Sequence, residues 1–440
     1  MNNNQIYIGQ NILNKAVKSA AGEIIQIDNE EYFKISDYDT MSPFLMNIVS
    51  DSDLWMFISS NGALTAGRKN PDRALFPYYT DDRIHDSNGI TGSKTILLVT
   101  VNEKTFLWEP FSSRYNGLYK VERALYKNKA SSKIIFEEKN LDLSLCFNYS
   151  WTSCDKFGFI KKSQIINNGN DSVHINALDG IQNILPSGTD RKFQLEYSTL
   201  LDGYKRNELL EQSGLGLFTL SSIPTDKAEP SEALRATTVW STGLDNALIL
   251  LSSLQVELFE QGLPVVQETD VKATRGAYFL QSEFELPKEK TKTWYFAADV
   301  FKDQVDVVSL SSLICLGGNL AEQIEKEILI SNIQLNLKIG SADGFQLSND
   351  QRATFRHFSN VIFNSMRGGI FDENYSIDRI DFTSFVENAN RVLKNKYSTF
   401  LENLPDKINI DDLIERVGNL RDEDFEKLCY EYLPLTFSRR

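Results

Sequence analysis

The densest set of chemistry-bearing side chains lies between Ser59 and Ile84, in the run SSNGALTAGRKNPDRALFPYYTDDRI. It holds Arg68, Arg73 and Arg83, Asp72, Asp81 and Asp82, and the adjacent Tyr78 and Tyr79, with glycine and proline between them. Neither a 3.6-residue nor a two-residue apolar period runs through it, so it reads as a shaped loop rather than a core element. Guanidinium groups donate, carboxylates accept and aromatic faces stack, which together suit a polar ligand. Asp81 and Asp82 would accept hydrogen bonds from it, Arg68, Arg73 and Arg83 would donate or hold the carboxylates, and Tyr78 and Tyr79 would lie against a ring. As adjacent residues on an extended chain, Asp81 and Asp82 would point to opposite faces, a poor acid/base couple. The competing reading is a salt-bridged connection packed within the fold.

Other chemistries find less support. The three histidines, His85, His174 and His357, are far apart, and His174 on a strand reads as a solvated polar side chain. The four cysteines, Cys146, Cys154, Cys315 and Cys429, lack metal-site spacing and read as reduced thiols. No serine-protease order, phosphate loop or dinucleotide fingerprint is present. Trp55, Trp108, Trp151 and Trp240 are candidate sugar platforms, although Trp151 continues an apolar alternation and reads as core. No metal or organic cofactor is expected.

The 440 residues carry a net charge of −14. That balance gives no electrostatic footprint for nucleic acid and disfavours an anionic membrane surface. No apolar run approaches the roughly 20 residues that span a bilayer, and the N-terminus lacks a basic segment followed by an apolar one. The expectation is a soluble, cytoplasmic protein.

Residues 1–302 read as strands. Leu141, Leu143, Leu145, Phe147, Tyr149 and Trp151 alternate with polar residues, the period of a sheet with one apolar face. Phe159–Ile166 and Val173–Ala177 flank Asn168-Gly169 and predict a hairpin. Further strands are expected at 215–220, 235–240, 247–259, 278–286 and 293–300, separated by turn-rich pieces. Many strands with little helix imply stacked antiparallel sheets. Helical spacing begins after 302, at Leu313, Leu316, Leu320, Ile324 and Ile328. Ile333, Leu335, Leu337 and Ile339 alternate and predict an extended piece. Ser348-Asn-Asp-Gln351 spells a helix start before the stripe Phe355, Phe358, Ile362 and Met366, with Gly368-Gly369 as its stop. Amphipathic stretches follow at 381–396, 411–417 and 422–433. Such helices must bury one face against the sheets, another copy of the chain, or a further domain, and the last is preferred.

Met41-Ser-Pro-Phe-Leu-Met-Asn, Trp55-Met-Phe-Ile-Ser-Ser-Asn-Gly62, Ala63-Leu-Thr-Ala-Gly-Arg68 and Ala74-Leu-Phe-Pro-Tyr-Tyr-Thr-Asp-Asp-Arg83 together resemble the start of the large bacterial proteins related to cellobiose phosphorylase. Asp179-Gly-Ile-Gln-Asn-Ile-Leu-Pro186, Glu232–Trp240 and Asn360–Phe371 resemble later parts of the same proteins. The resemblance implies a mainly β chain with an α C-terminal part. A large antiparallel β-supersandwich, galactose mutarotase-like, would occupy 1–302, a helical linker 303–345, and the truncated start of an (α/α)6 barrel 346–440. In this family the barrel supplies the catalytic carboxylate and phosphate site, while the sandwich helps to dimerise and lends a loop to the substrate cleft. No position here matches the catalytic motif, so no catalytic residue is carried over, and the barrel is expected C-terminal to this chain. The implied partners are an oligosaccharide or disaccharide and a second copy of the chain, with inorganic phosphate as co-substrate if the enzyme is a phosphorylase. A stand-alone carbohydrate-binding or assembly module without catalysis is the alternative, and a free-standing aldose epimerase ranks last.

Overall fold

The computed structural model describes residues 6–13, 18–28, 30–78, 81–196, 198–222, 234–341, 370–371, 376–432 and 435–436. Twenty strands build the β part: β1 (Ala21–Ile27), β2 (Glu30–Ser36), β3 (Leu45–Ile48), β4 (Leu54–Ser59), β5 (Leu64–Arg68), β6 (Ala74–Phe76), β7 (Gly92–Val101), β8 (Lys104–Trp108), β9 (Val121–Asn128), β10 (Ile134–Asn140), β11 (Leu145–Cys154), β12 (Gly158–Asn167), β13 (Val173–Ile184), β14 (Lys205–Leu210), β15 (Leu215–Leu220), β16 (Ala236–Thr242), β17 (Leu248–Leu250), β18 (Asp270–Lys272), β19 (Gly276–Leu286) and β20 (Thr291–Lys302). An 11-stranded sheet runs β18-β14-β15-β16-β20-β12-β11-β10-β9-β2-β1. A five-stranded sheet runs β8-β7-β13-β19-β17, and a four-stranded one β3-β4-β5-β6. Pairing is antiparallel throughout these sheets.

One apolar core joins all three sheets. Met56, Ile58 and Phe76 of the small sheet and Leu97, Ile175 and Leu280 of the five-stranded sheet pack with Phe136, Phe147, Trp151 and Trp294 of the largest. The alternation around residue 147 therefore reports the inner face, as expected. The strand itself starts later, at Leu145, because Leu141 to Ser144 form a turn in which Leu141 is exposed and Ser144 takes a left-handed φ of 54°. Its polar partners are buried as well, because helices cover the sheet's other face. Leu320, Ile324 and Ile328 pack there against Cys154, Ile160, Trp240 and Tyr295.

Three local expectations are corrected. β12 and β13 do not form a hairpin. β12 pairs with β11 and β20, whereas β13 pairs with β7 and β19 in the other sheet. The Asn168-Gly169 turn is a crossing between layers, pinned by Asn167, whose Nδ2 donates to the Leu286 and Asp171 carbonyls. The span 247–259 holds only the short β17 and then a helix at Val256–Glu260. Residues 333–339 are helical, not extended. The second linker helix runs Leu320–Ser341, and Ile324, Ile328, Ser331 and Leu335 share its buried face while Ile333 and Leu337 are exposed.

The helices used below are α1 (Asp81–Asp86), α2 (Val256–Glu260), α3 (Gln304–Leu316), α4 (Leu320–Ser341), α5 (Arg379–Ala389), α6 (Arg391–Lys396), α7 (Ser398–Glu402), α8 (Ile410–Gly418) and α9 (Glu423–Glu431). Asp303 caps α3 through the Val305 and Asp306 amides, and Gly317 and Gly318, with φ of 68° and 92°, separate it from α4. The helix start expected at Ser348–Gln351, its stripe to Met366 and its Gly368-Gly369 stop lie outside the described residues. Helices α5 to α9 make a core of their own from Phe382, Val386, Leu393, Leu401, Leu413, Val417 and Phe425, joined by Val49 and Ala130 of the β part and Leu335 of α4. Most of their apolar faces are thus covered by one another.

Candidate functional site

Hairpin β4–β5 carries much of the segment singled out in the sequence, and it separates that segment's residues. Ile58 pairs with Leu64 beside the Asn61-Gly62 turn, and Leu54 pairs with Arg68 at the open end. Four to five residues at about 3.3 Å each put those two ends roughly 15 Å apart.

Arg68 is the centre of an ion-pair node. Its Nε donates to Asp299 Oδ1 at 2.7 Å, and Nη2 to Asp299 Oδ2 at 3.1 Å. Nη1 donates to Asp53 Oδ1 at 2.6 Å and Asp155 Oδ1 at 3.1 Å, and Nη2 to the Asp155 carbonyl at 2.6 Å. A guanidinium has five N–H donors, and here all are taken. Burial works against the charge, but Asp299, Asp53 and Asp155 outweigh it and hold Arg68 above its ordinary pKa. Arg68 ties β5 to β20 and to the β11–β12 turn, and has no donor left for a ligand.

Arg73 lies over the Phe301 ring at 3.8 Å, and Arg235 lies over the same ring at 4.6 Å. Tyr78 is 5% exposed, packed edge-on against Trp55 at 5.8 Å, so it cannot serve as a sugar platform. Asp81, Asp82 and Arg83 belong to α1 rather than to a strand, which corrects the opposite-faces argument. Arg83 is exposed. Tyr79 lies outside the described residues. His85 Nδ1 pairs with Ser59 Oγ at 2.7 Å, but Ser59 is fully buried, which removes it as a nucleophile. His174 lies on an exposed strand face beside Glu285, and His357 lies outside the described residues. Trp55, Trp108, Trp151 and Trp240 are all buried, so none is a platform.

The structure brings together a different set. A cleft of about 350 Å³ opens between the Asn61-Gly62 turn, the Asn88–Thr91 turn after α1, the start of β7 and the Glu109–Arg114 loop after β8. A second, of about 400 Å³, shares Lys94 and Arg114 with it and reaches Gln182, Ser253 and α2. Such volumes are ordinary for small-ligand sites. Strand alternation divides β7 between them. Ser93 and Thr95 share a face with Leu97 of the core, while Lys94 shares one with Ile96 and Leu98 under α2.

Beneath the cleft lies a buried polar network. Asp179 accepts from Lys161 Nζ at 2.6 Å, Thr95 Oγ1 at 2.6 Å and Trp294 Nε1 at 2.7 Å. Burial pulls the Lys161 ammonium below its ordinary pKa, with Asp179 opposing it. The Glu109–Arg114 loop is held from behind. Glu138 accepts from Trp108 Nε1, the Phe111 amide and Arg123 Nε, each at 2.7 Å. Phe111 itself sits at a φ of 64°, a left-handed conformation rare for an aromatic residue and costing about 1–3 kcal/mol. Across the cleft Gly62, at a φ of 90°, approaches the Tyr149 hydroxyl so closely that a Cβ would lie 3.1 Å from it.

The wall's charges are paired: Lys94 Nζ donates to Glu109 Oε1 at 2.6 Å, and Arg114 Nη1 to both Glu260 oxygens at 3.1 Å. Of the sequence-predicted segment only Asn61 and Gly62 line this cleft. The signal that was available is Trp108-Glu-Pro-Phe-Ser-Ser-Arg114, a proline- and serine-rich loop with a carboxylate and a guanidinium. Among the described residues no group of histidine, cysteine, aspartate and glutamate could hold a metal ion, and no helix is long and apolar enough to cross a membrane.

Residues 371–434 match the family model described as glycoside hydrolase family 149 insertion domain 1. The helical segment from α5 to α9 is thus similar to an inserted module described in a glycoside hydrolase family. No curated protein matches the chain. Among solved structures, a bacterial glucoamylase complexed with acarbose aligns over 93% of this chain and 53% of its own at 10% identity, with a TM-score of 0.38. A candidate kojibiose phosphorylase from the human microbiome aligns over 80% and 40% at 11% identity and 0.32. A GalM/aldose epimerase homologue from C. elegans aligns over 60% and 100% at 9% identity and 0.32. The chain spans about half the length of the glucoamylase. Scores this low carry no inference about fold or chemistry.

Proposed function

We propose that this chain is the sandwich, linker and inserted helical module of a glycoside phosphorylase or hydrolase, a part that binds carbohydrate without itself performing the chemistry. The observation that carries the reading is the match of residues 371–434 to an insertion domain of a glycoside hydrolase family. It agrees with the resemblance of the 41–83 and 179–186 segments to cellobiose phosphorylase relatives. In this reading residues 21–302 form the mutarotase-like supersandwich, α3 and α4 the linker, and the segment that the sequence assigned to a barrel start is an insertion ahead of the barrel. The barrel would supply the catalytic carboxylate, with inorganic phosphate as co-substrate of a phosphorylase. Val305, Val308 and Leu316 of α3 and Leu329 and Leu337 of α4 are exposed apolar side chains, which fits linker helices with further protein against them.

Ser59 behind His85 is buried, and burial pushes the Cys146 and Cys154 thiols up to about 12. One observation favours the second reading, a self-sufficient binding or assembly module: α5 to α9 share their own core. Electrophoresis of the purified chain through native gels containing soluble β-1,3-, β-1,4- and α-1,4-glucans tests the proposal. Retardation by at least one glucan, with no release of sugar, nor of sugar phosphate when inorganic phosphate is supplied, is the expected result. Unaltered migration in every gel overturns carbohydrate binding, and turnover by this chain alone overturns the non-catalytic role.

A further inference from the structure

Two oxygens at the cleft are buried with nothing to bond. Glu109 gives Oε1 to Lys94 and its side chain is 10% exposed, while Oε2 has no hydrogen-bond partner among the described residues. Ser93 Oγ, on the neighbouring stretch of β7, is likewise shielded and unbonded. Buried polar atoms without partners are uncommon in folded proteins and destabilise them, so each calls for a reason. Both residues line the same 350 Å³ cleft, which also contains the left-handed Phe111. Backbone strain of that kind concentrates where ligands bind.

The chemistry of the missing partner follows from what the wall lacks. An anion would need a spare positive charge, and each cation here already faces a carboxylate: Lys94 faces Glu109, Arg114 faces Glu260 through Nη1, and Arg123 behind the loop faces Glu138. An apolar ligand would leave a carboxylate oxygen and a hydroxyl unsatisfied. A cation would meet one carboxylate already neutralised by Lys94. What remains is a neutral ligand rich in hydroxyl groups, which donate to a carboxylate and both donate to and accept from a serine.

We propose that the Glu109–Ser93 cleft binds a neutral sugar, whose hydroxyls donate to Glu109 Oε2 and exchange a bond with Ser93 Oγ as the two side chains turn out of the floor. The choice of a sugar over another polyol rests on the carbohydrate reading above. The adjoining space toward Gln182 and Ser253 gives room for a second ring.

Calorimetric titration of the full chain with glucose and cellobiose tests this, with myo-inositol as a non-sugar polyol and inorganic phosphate and glucuronate as anionic probes. Glucose or cellobiose should bind, with affinity falling about ten-fold in Glu109→Gln and about five-fold in Ser93→Ala, as expected for single hydrogen bonds. Arg206→Ala, in an exposed ion pair on β14, should bind as the parent does. Ser93→Ala removes one oxygen and no backbone bond, so it remains informative if Glu109→Gln fails to fold. Sugar binding unchanged in both variants overturns the cleft assignment and leaves the carbohydrate reading standing. Tighter binding of phosphate or glucuronate, lost in Lys94→Met, overturns the neutral-ligand assignment. Inositol binding without sugar binding keeps the polyol chemistry and removes the sugar. No heat with any probe overturns the proposal, while glucan retardation of the same chain would still support the broader reading through another surface.

Discussion

Arg68 and Glu109 are both nearly nine-tenths buried, and both are paired with an opposite charge, yet they stand in opposite states. The Arg68 guanidinium has every donor engaged by Asp53, Asp155 and Asp299. The Glu109 carboxylate has one oxygen on Lys94 and one on nothing. A saturated node holds elements together, and its loss shows in stability. An unsaturated one keeps binding capacity in reserve, and its loss shows in ligand affinity. Charge and burial do not tell them apart; the count of engaged lone pairs and N–H groups does.

The largest effect is expected from the saturated pair under the cleft. Asp179→Ala strands Lys161 and the Trp294 N–H in the core, and should destabilise the fold by about 3–5 kcal/mol in urea denaturation. A loss below 1 kcal/mol would mean that water reaches the network and that it is not sealed. Arg68→Ala should cost about 3 kcal/mol, leaving the buried Asp299 with Lys302 and the Val300 amide, and should leave sugar affinity untouched. Weaker sugar binding at unchanged stability would reverse the comparison.

Lys127 stands between the two states, its ammonium meeting Asn47 Oδ1 at 3.4 Å and no other hydrogen-bond partner among the described residues. Burial pulls its pKa down to about 8 from 10.5. The unfolded chain therefore holds more protons between those values, so stability rises with pH through that window. The gain is about 3 kcal/mol relative to Lys127→Met, measured by denaturation at closely spaced pH values. A difference that stays flat from pH 8 to 10 would show an ammonium in contact with water. The smallest change is the most diagnostic: Ser93→Ala replaces an unbonded hydroxyl with a methyl group and should be neutral or stabilising by about 1 kcal/mol while it weakens sugar binding. Destabilisation there would place Ser93 with Arg68, as a structural group.

The strand reading of 141–151 succeeded because a period of two leaves Leu145, Phe147, Tyr149 and Trp151 on one face whatever lies opposite. The Asn168-Gly169 hairpin failed because a turn signal says that the chain reverses, not which sheet receives the next strand. The alternation at 333–339 misled because Ile333 and Leu337 are exposed on α4, while Leu335 is a core position in register with Ile324 and Ile328. At the site, Arg68, Arg73 and Tyr78 stand out in the sequence as unusual, and their partners Asp299, Phe301 and Trp55 come from other parts of the chain, which the segment itself does not announce.

The sequence by itself determined the mainly β first part, the presence of helices after it, the scarcity of histidine and cysteine, and the acidic net charge. These follow from local periodicity and composition, which need no knowledge of long-range neighbours. Tertiary structure alone decided which polar groups are spent and which are left over, because Asp299 reaches Arg68 only when distant strands are stacked, and Lys94 reaches Glu109 only once β7 and β8 pair as a hairpin. Hydrogen-bond satisfaction belongs to the folded arrangement rather than to any one residue, and in this protein it separates the structural node from the candidate site.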